Sequence, residues 1–491
     1  MLNLADYQRF LFEVAGYPAI VARYQPTKPQ TKAKSHSIEY WSPKSDWSVT
    51  QAEVIRIASE DRTRLALNAL LSNLESDDAP QIWKTHYWAT PRDRRLLDRL
   101  SDLPRLRDRV RQTREKNSEK PWIIAQGFQP VGSSDNPDEA KQIDLGTPAF
   151  IGATSNKLDL FLLPNDCDDL GERTITVRKR SGVNTTVFKK PHVLISHGFS
   201  KVAFADFDVS FRHSIRGING PEGDADKLAF LAAYLRSDLA KFFLFHTSSN
   251  WGIERARVLD EELLGLPFPV ELGAENGSRQ SEIIEIVSGI LRNAAAQAKK
   301  DFADRTGIVS NASSEIEPLI YEYFGITDSE RDLINDTMNV IIPSTRPTRS
   351  RLNVPTVKRS TPGQRDDFVK RICDMLNRWS KRGSQGVRGS VITSEEAGVG
   401  VAIFEKVDRT SISDPMTPED AGVVETLHRL RELASKKHVA LELIRGVKMF
   451  DRNRLYIVKP LDQRNWTLTA AMNDADEIAG SLLMKNSEQP V

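Results

Sequence analysis

Lys190-Pro-His-Val-Leu-Ile-Ser-His-Gly-Phe-Ser-Lys-Val-Ala-Phe-Ala-Asp-Phe-Asp-Val-Ser-Phe-Arg-His-Ser-Ile-Arg216 holds three apolar runs separated by Ser, Gly and Asp. Short apolar runs bounded by such residues predict strands, at Val193 to Ile195, Val202 to Phe204 and Val209 to Ile215. In the third, Val209, Phe211, His213 and Ile215 alternate with Ser210, Arg212, Ser214 and Arg216, and a period of two puts both arginines on one face. Just upstream, Thr174-Ile-Thr-Val177 and Thr185-Thr-Val-Phe188 flank Arg178-Lys-Arg-Ser-Gly182, which predicts a hairpin with a basic tip. Downstream the period changes. Leu228, Leu231, Leu235, Leu239 and Phe242 follow one another at three- and four-residue steps, predicting one helix opened by Asp224 or Asp226 and ending near His246. Strands followed by helices make an α+β chain.

Outward from this block the chain reads as a series of units. Residues 1–50 carry a short helix from Tyr7 to Val14 and two strands, Pro18 to Tyr24 and Ser37 to Trp41, with no visible sheet to join. Residues 51–115 read as a helical connector, from the helical spacing of 51–75 and 93–114; Leu96, Leu97 and Leu100 form one stripe. Residues 116–270 are the β-rich unit. A helical region over 271–345 contains amphipathic helices at Ile283 to Phe302 and Ile316 to Phe324. Residues 391–491 form a smaller α/β unit with strands near Gly400 to Phe404 and Arg454 to Val458. Between them, residues 346–390 read as a basic linker. Over 341–390 twelve Lys and Arg stand against Asp366, Asp367 and Asp374, and the first half is rich in Pro, Ser and Thr. Such a segment suits either a solvated tether or contact with a DNA backbone.

Bulk composition narrows the class. With 491 residues the chain has room for about three or four domains. Its 39% hydrophobic and 27% charged residues fit a folded protein, not a disordered or fibrous one. No window approaches the roughly 20 apolar residues of a membrane span, and Met1-Leu-Asn-Leu-Ala-Asp6 lacks the form of a signal peptide. A cytoplasmic protein is the expectation. Cys167 and Cys373 are too few and too distant for a disulfide framework or a thiolate zinc site. The chain has no phosphate-binding Gly-x-x-x-x-Gly-Lys loop and no His-Glu-x-x-His, and its eight histidines are scattered. His213 and His246 lie in apolar stretches and read as core histidines.

Five segments occur in a telling order: Lys84-Thr-His-Tyr-Trp-Ala-Thr-Pro-Arg-Asp-Arg-Arg-Leu-Leu97, Gly127-Phe-Gln129, Lys190 to Phe199, Phe230-Leu-Ala-Ala-Tyr-Leu-Arg-Ser-Asp-Leu-Ala-Lys241, and Leu263-Leu-Gly-Leu-Pro-Phe-Pro269. Together with Phe12-Glu-Val-Ala-Gly-Tyr-Pro18 before them and Pro318 to Glu330 after, they resemble the C-terminal part of N-6 adenine DNA methyltransferases of restriction–modification systems. The resemblance covers residues 1 to about 340 and makes 116–270 a target-recognition domain. It leaves out catalysis. The Asn-Pro-Pro-aromatic motif that grips an extruded adenine is missing, since Asn136-Pro137, the one Asn-Pro, continues with Asp138.

The resemblance therefore implies a chain with no catalytic, cofactor-binding or metal-binding residues of its own: either the recognition half of a split enzyme, with S-adenosylmethionine held by a catalytic methyltransferase partner, or a decayed remnant of such an enzyme. It also implies that residues 1–50 are tail strands completing that partner's sheet, and that the ligand is double-stranded DNA. Base flipping needs a second body gripping the duplex through phosphate contacts and base edges. The expected DNA-binding residues are Arg178, Lys179, Arg180, Lys189, Lys190, Arg212, Arg216, Asn250, Trp251 and Arg255. The same arginines also suit the wet face of an ordinary antiparallel sheet, and Trp251 suits a plug over a helix end. A non-catalytic scaffold subunit of a defence complex is the alternative, and an enzyme with a diffuse site is a third reading.

Overall fold

A computed structural model describes residues 1–11, 18–24, 36–74, 79–115, 118–131, 140–178, 183–249, 251–253, 257–270, 277–300, 304–345, 354–414, 416, 422–436 and 446–487. It is a multidomain α+β protein that divides into two units, residues 1–94 with 335–491, and residues 95–334.

In the first unit the N-terminal strands have a sheet of their own. Leu2–Asn3 pairs antiparallel with Ile20–Val21 and parallel with Ser37–Trp41, and the latter pairs over its full length with Arg62–Ala66. That fourth strand lies inside 51–75, where helical spacing misled; the helix is confined to Leu67–Leu74. The second helical stretch is also shorter than its spacing suggests. Pro91–Ser101 is helical, with Leu96, Leu97 and Leu100 buried, but Pro104 follows and Val110–Gln112 is a strand.

The C-terminal sheet runs Gln385–Ser394, Val399–Asp408, Arg454–Pro460, Val447–Asp451, all antiparallel. Its period of two sorts the core. Ala402 and Phe404 face helices Pro362–Trp379 and Leu468–Ser487 through Phe368, Ile372, Ala471 and Ala475, while Val401 and Ile403 meet Val423 and Leu430 of helix Val423–Lys436. Much of the basic stretch is thus folded. Thr361 caps Pro362–Trp379, its Oγ1 accepting from Gln364 N while the Gln364 side chain accepts from Thr361 N, with Pro362 at the first helical position.

Glu405 sits at the middle of a cross-strand clamp. It faces Arg388 on one neighbouring strand and Arg454 on the other, bonding their guanidinium groups at 2.9–3.1 Å. Burial would raise its carboxyl; the two arginines more than offset this and hold it below the usual range.

A buried network joins the two ends of the chain into this unit. Asp6 Oδ2 accepts from Arg464 Nη2 at 2.8 Å, Ser45 N at 2.9 Å and Ser45 Oγ at 2.8 Å. Tyr87 Oη accepts from Asp6 N and donates to the Pro43 carbonyl. Arg92 forks onto Asp476 at 2.8 and 2.9 Å.

The second unit is built on a six-stranded sheet in the order Val110–Gln112, Trp122–Gln126, Ile215–Asn219, His192–Ser196, Val202–Ala205, Leu160–Phe161. Helix Ala225–Arg236 covers the strands His192–Ser196 and Val202–Ala205, with Leu228, Leu231 and Leu235 fully buried. The expected single helix is two. Ser237 leaves helical geometry (ψ 157°) and its Oγ caps the next helix, Asp238–Thr247, at Ala240 N. The expected hairpin around residue 180 also resolves differently: Thr174–Arg178 pairs with Ala140–Asp144, and Thr185–Phe188 is a 3-10 turn capped by Asn184 that buries Val187 and Phe188.

Burial by itself would raise the Asp6 carboxyl, but Arg464, Ser45 and Lys44 outweigh it and hold it below its ordinary 3.8. A depressed carboxylate gives stability that is full above the unfolded value and lost as pH falls through the folded one. Asp6→Ala, which leaves Arg464 buried and unpaired, is expected to cost about 3–5 kcal/mol in urea unfolding at pH 7. Asp6→Asn should narrow its deficit against the native chain as pH drops below about 4.

Candidate nucleic-acid interface

Gly127 decides the local geometry of the second unit. Its N–H donates to the Ile215 carbonyl at 3.1 Å, and a Cβ there would stand 2.0 Å from the Phe211 carbonyl oxygen. Only a glycine lets the end of strand Trp122–Gln126 pass so close beneath the turn at residues 212–214. Phe128 N then donates to Phe211 O at 3.0 Å, and His213 N to Phe128 O at 2.9 Å. The result brings Gln126, Gln129 and His213 together.

These residues line a cleft of about 350 Å³ with Gln112, Thr113, Arg114, Ile124 and Asp260. Gln126, Arg114 and His213 are exposed, Gln112 and Gln129 half-buried. A glutamine amide offers a donor and an acceptor side by side, the pattern that matches adenine N6 and N7 in a major groove, while arginine suits guanine or phosphate. Arg114 makes a surface pair with Glu261 at 3.2 Å, weak enough to exchange for a ligand.

Arg216, expected on the wet face beside Arg212, is 2% exposed. Period-two reasoning failed because residues 212–214 form a turn between strands Ser210–Phe211 and Ile215–Asn219, so the two arginines do not share a strand. The Arg216 guanidinium donates to the Val258 carbonyl and pairs with Asp260 Oδ1 at 3.1 Å. Burial pulls it down and Asp260 counters. It holds the cleft wall from behind. Arg212 is exposed, 5.6 Å above the Phe150 ring, beside the cleft through its bridge to Phe128. The backbone of Arg178 lies at the same end, its main-chain N–H donating to the Gln129 carbonyl at 3.1 Å.

Lys189 and Lys190 lie elsewhere. They precede strand His192–Ser196 at the end where His192 faces Asn219, whereas the cleft lies where Gln126 faces Arg216. Both are exposed; Lys190 N donates to Asp208 Oδ1 at 3.0 Å and its Nζ approaches Glu222 at 3.6 Å. Trp251 is buried, its indole N–H donating to Gly198 O at 3.2 Å and its ring edge-on to Phe199, which makes it a plug. Lys179, Arg180, Asn250 and Arg255 lie outside the described residues. His246 is buried as expected; His213 is not, because it stands in the turn.

The cleft glutamines were unforeseen. The one hint was their position either side of Gly127-Phe128. Among the described residues no group of three His, Cys, Asp or Glu is placed to hold a metal ion.

No family model matches the chain, and no curated protein does. Solved structures are similar over part of it, among them the following two. An HsdS subunit from Thermoanaerobacter tengcongensis matches 56% of this chain and 63% of its own at 12% identity and a TM-score of 0.20. A structure described for complex assembly and conformational transition of the type I R-M system matches 57% and 66% at 9% identity and a TM-score of 0.18. The chain thus spans less than two thirds of either, and overlaps this poor carry no argument about function.

Two outcomes are expected from the cleft wall. Arg216→Ala should lower the stability of the native chain by about 2–3 kcal/mol in urea unfolding, through the missing charge-assisted bonds. Burial first, then Arg216 and Arg257, push His197 from 6.5 down to about 4. The ring is neutral in the folded protein, and the unfolded chain takes up the proton first. This contribution is full above about pH 6.5 and is lost as pH falls toward 4. His197→Gln should therefore show a flatter decline in unfolding midpoint across that window than the native chain.

Proposed function

We propose that this chain is the DNA target-recognition component of an adenine-specific methyltransferase in a restriction–modification or phage-defence system, with S-adenosylmethionine and catalysis supplied by a partner chain. The observation that carries the proposal is the cleft where Gln126, Gln129 and His213 converge at one end of the six-stranded sheet, lined also by Arg114, with the backbones of Arg178 and Arg212 bonded to its edge. Amides and cations of this kind meet the two needs of duplex recognition, base edges and phosphates. The ordered segments from Lys84 to Pro269 supply the link to adenine methyltransferases. No helix among the described residues is long and apolar enough to cross a membrane.

The scaffold reading draws support from the burial of Arg216 and Trp251, two of the residues expected to touch DNA. Binding measurements separate the two. Gln129→Ala or Arg212→Ala is expected to relax base preference, weakening the preferred duplex by about 1–3 kcal/mol where the side chain reads a base edge. Arg114→Ala, which removes the exposed cation lining the cleft, should weaken all duplexes alike and lower the salt slope by about one if that arginine holds a phosphate. Absence of duplex binding at any salt concentration would leave the scaffold. Calorimetry of the chain alone with S-adenosylmethionine is expected to show no binding, and micromolar affinity would contradict the assignment of the cofactor to a partner.

A further inference from the structure

The C-terminal end of helix Pro362–Trp379 carries a surface for which neither the cleft nor the core has a use. Phe368 and Ile372 bury one stripe of this helix against the sheet. Trp379 falls on that stripe, seven residues after Ile372, yet it is 48% exposed. Arg378, Lys381 and Arg382 surround it, all exposed, and among the described residues none of the three has an ion-pair partner. The turn that presents them is held firmly. The Arg409 guanidinium donates to the carbonyls of Ser380 at 2.5 Å, Gly383 at 3.0 Å and Gln385 at 3.4 Å. The acidic neighbours are Asp374, one turn earlier, and Asp408, opposite Gln385 in the sheet. Cations outnumber them.

Basic residues at a helix C-terminus do complement the helix dipole, but that effect asks for no exposed indole beside them. We propose that this patch binds single-stranded nucleic acid, with an unpaired base stacked on Trp379 and the flanking phosphates held by Arg378, Lys381 and Arg382. Indole face and unpaired cations together form the stacking platform and charged track that single strands need. A duplex keeps its base faces stacked and offers Trp379 nothing. An anionic membrane would call for a broad apolar face, and Trp379 is the one large apolar side chain exposed in this stretch. The proposal does not depend on the role of the cleft.

The test is fluorescence anisotropy of the full chain with a labelled oligothymidylate and with a duplex of equal length. Trp379→Ala is expected to weaken single-strand binding roughly tenfold or more, from the loss of one stacked base. Trp379→Phe should retain most of the affinity, and duplex binding should be unchanged by either. Replacing Arg378, Lys381 and Arg382 together by Ala should lower the single-strand salt slope by about 2. Thermal unfolding of each variant confirms that the fold is intact. Unchanged single-strand affinity in Trp379→Ala, or no single-strand binding by the native chain at low salt, would overturn the proposal. Gln129→Ala is the cross-check: it should alter duplex preference alone, so failure of the cleft reading and failure of this one are separately visible.

Discussion

A guanidinium almost out of reach of water organises the second unit. Arg216 stands on the strand Ile215–Asn219, third across the six-stranded sheet; its guanidinium donates to the Val258 carbonyl and is neutralised by the Asp260 carboxylate. An unpaired buried charge is among the costlier defects a fold can carry, so residues 258–260 are tied where Arg216 needs them. Val258 N in turn donates to the His197 carbonyl, and Glu262 takes Ser249 N and Oγ at 2.6 Å. The segment that closes the cleft on one side is therefore fixed by the charge behind it. Asp260 faces both ways, pairing with Arg216 and lining the cleft.

The opposite wall depends on a steric constraint. Gly127 lets strand and turn touch backbone to backbone, and the residues on either side of it, Gln126 and the Phe128-Gln129 pair, are placed by that approach. One wall is set by charge burial and the other by the absence of a Cβ. Both constraints are anchored on the six-stranded sheet, at Arg216 in strand Ile215–Asn219 and at the end of strand Trp122–Gln126, and from there they fix the turns and the helix start that line the cleft.

Much of the second unit was legible in the sequence because local patterns decided it. Val193 to Ile195 and Val202 to Phe204 are apolar runs between turn residues, and Leu96, Leu97 and Leu100 form a helical stripe; each lies where periodicity puts it. The failures share a cause. Alternation from Val209 to Arg216 continues through a turn, and the leucine spacing from Leu228 to Phe242 continues through the break at Ser237, since burial on one side demands the same apolar residues whether or not the backbone stays regular. Long-range pairing left no mark at all. Arg62–Ala66 is a strand because Ser37–Trp41 needs a neighbour, and Asp6 is buried because Arg464 meets it across most of the chain. The cleft glutamines were hidden for the same reason: nothing near Gln126 indicates that His213 will lie beside it.

Hydrogen–deuterium exchange of the full chain, with and without a cognate duplex, tests the central claim most directly. Recognition through the cleft predicts slowed exchange at residues 112–114, 126–129 and 212–214 on adding DNA, with the strand His192–Ser196 already protected and unchanged. Protection confined to other parts of the chain, with these three segments unaffected, would contradict it.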